Sequence, residues 1–324
     1  MALSEFDLIA RYFVACGDPR ADVLLGVGDD CALLHPPPNS LLAMTTDTLV
    51  AGVHFAPGVD PESLGHKSLA VNLSDLAAMG AEPAWATLAL TLPQAEESWL
   101  EAFSRGLCQL AKTHGVRLIG GDTTRGPMSI TIQVAGFVSP ERVMRRSGAH
   151  PGDLIYVTGT LGDAGLALLA RRGRHLPMAL RSGIRRRLDW PTPRIAAGKA
   201  LAGIASAAID ISDGLVGDLG HILAASGVGA SLFVDLLPLG EAVADYVAAT
   251  DDWSLPLAAG DDYELCLTLS ADHQEQVEAI AHTLDCRLTW VGLIERAKGL
   301  RCVLPDGKHF DRLPNSYDHF GAGS

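Results

Sequence analysis

Apolar residues recur along this chain in short runs separated by stretches with helical spacing. VLLGVG (23–28), LLAMTTD (41–47), WATLALTL (85–92), RLIGGD (117–122) and SITIQVAGFV (129–138) read as strands. Between them, ESLGHKSLAVNLSDLAAMGA predicts one long helix ending at Gly80, and ESWLEAFSRGLCQLAKTHG another ending at Gly115, since glycine readily takes the left-handed turn that closes a helix. EFDLIARYFVA predicts an amphipathic helix near the start, with Ser4 as its cap. The pattern then breaks at a proline- and arginine-containing connection, SPERVMRRSGAHPGD (139–153). A second series follows: the strand LIYVTG, the helix GDAGLALLARRG, and then AAIDISDGL, ASLFVDL, YELCLTL and RLTWVGLIE. This alternation predicts an α/β (α+β) protein of two domains, residues 1–139 and 140–324.

Composition narrows the class. Among 324 residues, 48% are hydrophobic and 19% charged, which suits a folded globular protein rather than a disordered one. The longest apolar stretch, AAMGAEPAWATLALTL, is interrupted by Glu82 and Pro83, so no membrane partner is expected. Glu5 and Asp7 stand where a signal peptide would carry basic residues. The net charge of −13 argues against nucleic acid. Cysteines 16, 31, 108, 266, 286 and 302 form no CxxC pair, which argues against structural zinc and a disulfide framework and leads us to expect a reducing cytoplasm. The basic clusters RRGR (171–174) and IRRRLD (184–189) read as solvated helix faces.

The acidic residues carry the chemical signal. Of 38 acidic residues 26 are Asp, the carboxylate favoured in turns and metal sites. An apolar run, a small residue and then Asp recurs as GVGDD, MTTDT, LIGGDTT, AIDISDG and LAAGDDYE. Asp75 adds a helical case, with Asn72 on the same face. Any one of these could simply begin a turn or cap a helix. Five at strand ends, where α/β sheets bind ligands, point to converging carboxylates, which stay ionised together only with cations between them. Asp and Thr oxygens are hard donors suited to Mg²⁺. A site with several cations implies a polyphosphate, yet GxxxxGK[ST], GxGxxG, HRD and DFG are all missing.

In order, GVGDDCA, TTDTLVAGVHF, HKSLAVNLSDLAAMGA, GGDTT, MRRSGAHPGD, YVTGTLGDAGL, DISDGL, GDDYEL and SYDHF resemble the thiamine-monophosphate kinases of the aminoimidazole-ribonucleotide-synthetase-like superfamily. The resemblance implies mixed sheets packed with helices, an N-terminal domain that dimerises with its mate, and ATP-dependent phosphorylation of thiamine monophosphate. It implies Mg²⁺ ligands at Asp30, Thr45, Thr46, Asp47, Asp75, Asp122, Asp210 and Asp213, with Asp29 as an orienting neighbour of Asp30. It places ATP against Gly121, Asp122, Arg146 and Ser212, and thiamine monophosphate against His54, Asp261 and Tyr317. Where a GGEDYEL-like segment would carry Glu, this chain has Asp261. Read without the family, His54 is a core histidine, Arg146 solvated charge and Tyr317 an anchor for the tail. The alternatives are another ATP-using enzyme of the superfamily, or a regulator that binds nucleotide or thiamine phosphate without turnover.

Overall fold

The computed structural model describes residues 5–173, 178–284, 286–304, 306–310, 313 and 316–317; the expected cap at Ser4 lies outside them. Two compact units emerge. The first runs to Leu76 and resumes over Ala81–Pro140, while the second takes Ala77–Gly80 and the described residues from Glu141 onward.

In chain order the first unit contains α1 (Glu5–Tyr12), β1 (Val23–Leu25), β2 (Leu33–Leu34), β3 (Leu41–Val50), α2 (Pro61–Ala78), β4 (Glu82–Leu92), α3 (Glu97–Thr113), β5 (Arg117–Arg125) and β6 (Ser129–Val138). Its four-stranded sheet has the order β3-β6-β4-β5, with β4 and β5 parallel and the other pairs antiparallel. Ile130, Ile132 and Val134 of β6 and Leu88, Leu90 and Leu92 of β4 form the buried face. Helix α2 is buried along most of its length, so its polar Ser68, Asn72 and Ser74 lie inside. It crosses α3 at close range. A Cβ on Gly65 would strike the Phe103 carbonyl, and one on Gly106 the Glu62 carbonyl, so only glycines allow this approach.

The second unit contains β7 (Leu154–Thr158), α4 (Asp163–Arg171), α5 (Met178–Asp189), α6 (Ile195–Leu201), β8 (Ala207–Ile211), α7 (Leu215–Ser226), β9 (Gly229–Phe233), α8 (Glu241–Thr250), α9 (Ser254–Ala258), β10 (Glu264–Leu269), α10 (Gln274–Ala281), β11 (Leu288–Glu295) and β12 (Gly299–Val303). Its sheet has the order β12-β9-β11-β7-β10-β8; only β12 and β9 are parallel. Strands β8 and β10 are buried throughout, as expected of strands covered on both faces. One core gathers Ile209, Ile211, Leu219 and Ile222 with Val291 and Ile294; another joins α4, α5 and α8 through Leu166, Ile184, Leu188 and Val243.

Four expectations need correction. The first helix stops at Tyr12, because the chain turns so that the Cys16 carbonyl accepts the Leu118 amide at 3.1 Å. Cys16 and Cys108 are joined in a disulfide, with Cα atoms 4.8 Å apart across a sequence separation of 92. Spacing could not reveal that pairing, which arises from the packing of the Cys16 segment on α3, and the cysteine argument for a reducing compartment falls with it. Within IRRRLD, Arg185 and Arg186 are exposed but Arg187 turns inward onto the buried Glu264. Finally, Asp47 and Asp122 do not end strands. Each sits within one, because β-branched Thr45, Thr46 and Thr48, and Thr123 and Thr124, carry the extended backbone past it.

Candidate active site

Strand β3 alternates its side chains, so Thr45 and Asp47 face α2 while Thr46 and Thr48 face the other way. Helix α2 answers with Asn72 and Asp75, one turn apart on one face. The Asn72 Oδ1 accepts the Asp47 amide at 3.1 Å, and Asp75 accepts the Thr45 hydroxyl. Burial, and then the neighbouring Asp75 charge, push the Asp47 carboxyl up to about 6. Two carboxylates and a hydroxyl thus share one half-buried place. Such hard oxygen donors fit a divalent cation of the Mg²⁺ kind, whose charge would remove the repulsion.

The remaining first-unit candidates stand elsewhere. By register, Asp47, Ile132, Leu88 and Gly121 lie in one row across the sheet, so β5 stands three strand spacings from β3, about 14 Å at about 4.8 Å each. Asp122, one residue beyond Gly121, projects from the face opposite Asp47 and is exposed. Gly121 (φ 152°) has to be glycine, because a Cβ there would run into the Leu88 carbonyl. Asp29 and Asp30 are exposed after β1, with the Asp29 Oδ1 accepting the Asp30 amide at 2.9 Å. In water their repulsion is only about 1 kcal/mol at 4 Å, so the pair is tolerated without a cation. His54 spends its Nδ1 on the Val50 amide at 3.0 Å, which leaves the proton of the neutral ring on Nε2. Among the described residues, no group of three or more His, Cys, Asp or Glu is set to hold a metal.

In the second unit the candidates converge on the turn after β8. Asp210 is buried in that strand, and Ser212 and Asp213 follow it. Gly214 (φ 111°) closes the turn where a Cβ would meet the Ala258 backbone. Asp218, in the first turn of α7, reaches back to accept the Ser212 and Asp213 amides at 3.1 Å each. Burial dominates its environment and pushes its carboxyl up to about 7. The Ser212 carbonyl takes the Asp261 amide at 2.8 Å, and the Asp213 carbonyl takes the Tyr317 amide at 3.2 Å. Backbone bonds therefore hold Ser212, Asp213, Asp261 and Tyr317 together, with Tyr317 45% exposed. Tyr263 donates its hydroxyl to the Asp261 Oδ1 at 3.0 Å. Arg146 is exposed in the connecting segment, where its carbonyl accepts the Ser226 hydroxyl at 3.4 Å.

Sequence reading missed Asp218, Asp262, Tyr263 and the buried Glu264 with its two arginines. The quoted motifs contain several of them, but nothing in the string distinguishes an inward carboxylate from a displayed one.

The two units correspond to the two domains of a single protein class. Residues 28–138 match the family described as AIR synthase related protein, N-terminal domain, and residues 150–304 its C-terminal domain. A thiamine-monophosphate kinase of Escherichia coli strain K12 is 49% identical over 323 residues, covering 99% of each chain. A crystal structure of thiamine-monophosphate kinase from Stenotrophomonas maltophilia K279a superposes with a TM-score of 0.84 at 47% identity, covering 90% of this chain and 93% of that one. A structure described as AaThiL complexed with AMPPCP and TMP gives 0.76 at 32% identity, over 91% and 92%. The chain belongs to the thiamine-monophosphate kinase family of AIR synthase related proteins.

Proposed function

We propose that this chain transfers the γ-phosphoryl group of ATP to thiamine monophosphate, giving thiamine diphosphate and ADP. The observation that carries this reading is end-to-end similarity at about half identity to chains with that activity in their names. The relative holding AMPPCP together with TMP supports ATP as co-substrate.

The acceptor is a phosphate monoester whose second pKa is about 6, so it reaches the site already mostly dianionic and needs no general base. The barrier is repulsion between that dianion and the ATP phosphates, which positioning and positive charge relieve. Asp47 and Asp75, with the Thr45 hydroxyl, would hold one Mg²⁺; the resemblance also names Asp30, Thr46, Asp122, Asp210 and Asp213 as ligands, and since Thr46 and Asp122 face away from Asp47 they would serve other ions. When bound, the several ions supply charge neutralisation between donor and acceptor. Gly121, Asp122, Arg146 and Ser212 meet ATP. His54 and Asp261 orient the thiamine phosphate, and the Tyr317 ring offers a face to the cationic thiazolium. Transfer is direct and in line, with no phosphorylated protein.

A homodimer fits the exposed side of the first sheet. Edge strand β3 displays Leu42, Met44 and Val50 on the face away from α2, an apolar edge that soluble proteins normally cover. Domain roles follow the same division, with residues 1–139 dimerising and holding Mg²⁺ and ATP, and 140–324 completing the nucleotide and substrate contacts. No helix of the described residues is long and apolar enough to cross a membrane; dependence on ATP favours the cytoplasm.

Incubating the protein with ATP, Mg²⁺ and thiamine monophosphate and separating the products should give thiamine diphosphate with one ADP each. ATP consumption without thiamine diphosphate would contradict the assignment.

A further inference from the structure

The segment that leads into β10 divides its side chains between two sides. Asp261 is half-buried beside the Ser212 turn, whereas Asp262 and Glu264 point inward and are 3% and 0% exposed. Each inward carboxylate fastens a different neighbour. The Asp262 Oδ2 accepts the Gly162 amide at 2.8 Å, in the turn that opens α4. Glu264 accepts the Thr158 hydroxyl at 2.6 Å, both Nε and Nη2 of Arg194 at 2.6 Å, and Arg187. On either side of Asp262 the backbone is left-handed, with φ 71° at Asp261 and 51° at Tyr263. A bulky residue such as Tyr enters that region at a cost and stays only where its surroundings over-determine it. The Asp261 and Tyr263 amides nonetheless reach the Ser212 and Ile211 carbonyls at 2.8 Å each.

We propose that Asp262 is a positioning residue: its bond to the Gly162 amide locks Asp261 and Tyr263 in their left-handed conformations and so aims Asp261 at the thiamine substrate. The assignment rests on the reading of Asp261 as a substrate contact. Glu264 alone would not suffice, since it lies beyond Tyr263 and anchors the strand rather than the turn. The Asp262 Oδ1 is buried with no hydrogen-bond partner among the described residues, and burial pushes this carboxyl well up. What the position requires is an acceptor oxygen for the Gly162 amide, which asparagine also offers, so asparagine should replace it.

Asp262→Leu keeps much of the volume and removes the acceptor; Asp262→Asn keeps both. Amide exchange at Asp261 and Tyr263 would be measured in the substrate-free protein, alongside steady-state kinetics for both substrates. In the Leu variant exchange at both amides should quicken at least about tenfold, and KM for thiamine monophosphate should rise about tenfold while KM for ATP stays within about twofold. The Asn variant should match the wild type in both measurements. Unchanged exchange in the Leu variant, an equal rise in both KM values, or an Asn variant as impaired as the Leu one would overturn the assignment. If the Leu variant does not fold, the Asn variant decides: wild-type exchange supports the proposal and faster exchange overturns it. The exchange comparison needs no substrate, so it reports on positioning even if the wild type makes no thiamine diphosphate.

Discussion

Asp47 is a carboxylate costly to the fold, a cost the proposed cation would offset. Its charge is opposed by burial and by Asp75, yet its amide is fixed by Asn72. Asp47→Asn keeps the backbone bond and removes a hard donor. Turnover should fall at least about 100-fold, with more Mg²⁺ needed for half-activity and the thermal midpoint unchanged or higher. Near-normal turnover at limiting Mg²⁺ would contradict the cation-holding role. Asp163, remote from these donors in sequence, tests the electrostatics of burial. It accepts the Thr160 hydroxyl at 2.6 Å, and burial raises its carboxyl above the usual range. A raised carboxyl contributes stability below the ordinary carboxylate pKa and loses it as pH climbs through the folded value. Asp163→Asn should therefore stabilise the protein more at pH 8 than at pH 4, read by denaturant unfolding; equal effects at both pH values would contradict this.

Among the elements, α2 matters most to the first-unit site because it carries Asn72 and Asp75 to β3. Its position depends on the glycine crossing with α3. Gly106→Ala puts a methyl group against the Glu62 carbonyl, and overpacking of this kind should cost about 2 kcal/mol in urea unfolding and raise the Mg²⁺ needed for half-activity. A change under about 0.5 kcal/mol would mean the crossing is loose. Helical spacing made α2 and α3 legible in the sequence, and the shared face of Asn72 and Asp75 was legible with them. The placement of the strand carboxylates was not. Whether Asp47 ends β3 or sits within it depends on the ladder with β6, a long-range pairing. The opposite facing of Asp47 and Asp122 depends on the register across four strands. Arg187 reads like its exposed neighbours and turns inward only because Glu264 is there. The Asp–Ile–Ser–Asp–Gly and Gly–Asp–Asp–Tyr–Glu segments announced chemistry, but their mutual backbone bonds join residues about fifty positions apart.

At the scale of the whole molecule, the proposed homodimer would cover the exposed edge of the first sheet. Met44 is 55% and Leu42 47% exposed on β3. Met44→Asp should shift the protein toward monomer in sedimentation equilibrium, with the unit still folded by circular dichroism. An unchanged dimer, or a wild type that is already a monomer, would contradict that interface. The cysteine argument also belongs at this scale, because only the folded chain brings Cys16 beside Cys108. The central claim is direct passage of a phosphoryl group from ATP to thiamine monophosphate, and a single-turnover experiment with [γ-³²P]ATP tests it most directly. After an acid quench, the label should appear in the terminal phosphate of thiamine diphosphate at the rate ATP disappears, with none on the protein. Label retained on the protein, or released only as inorganic phosphate, would contradict the account.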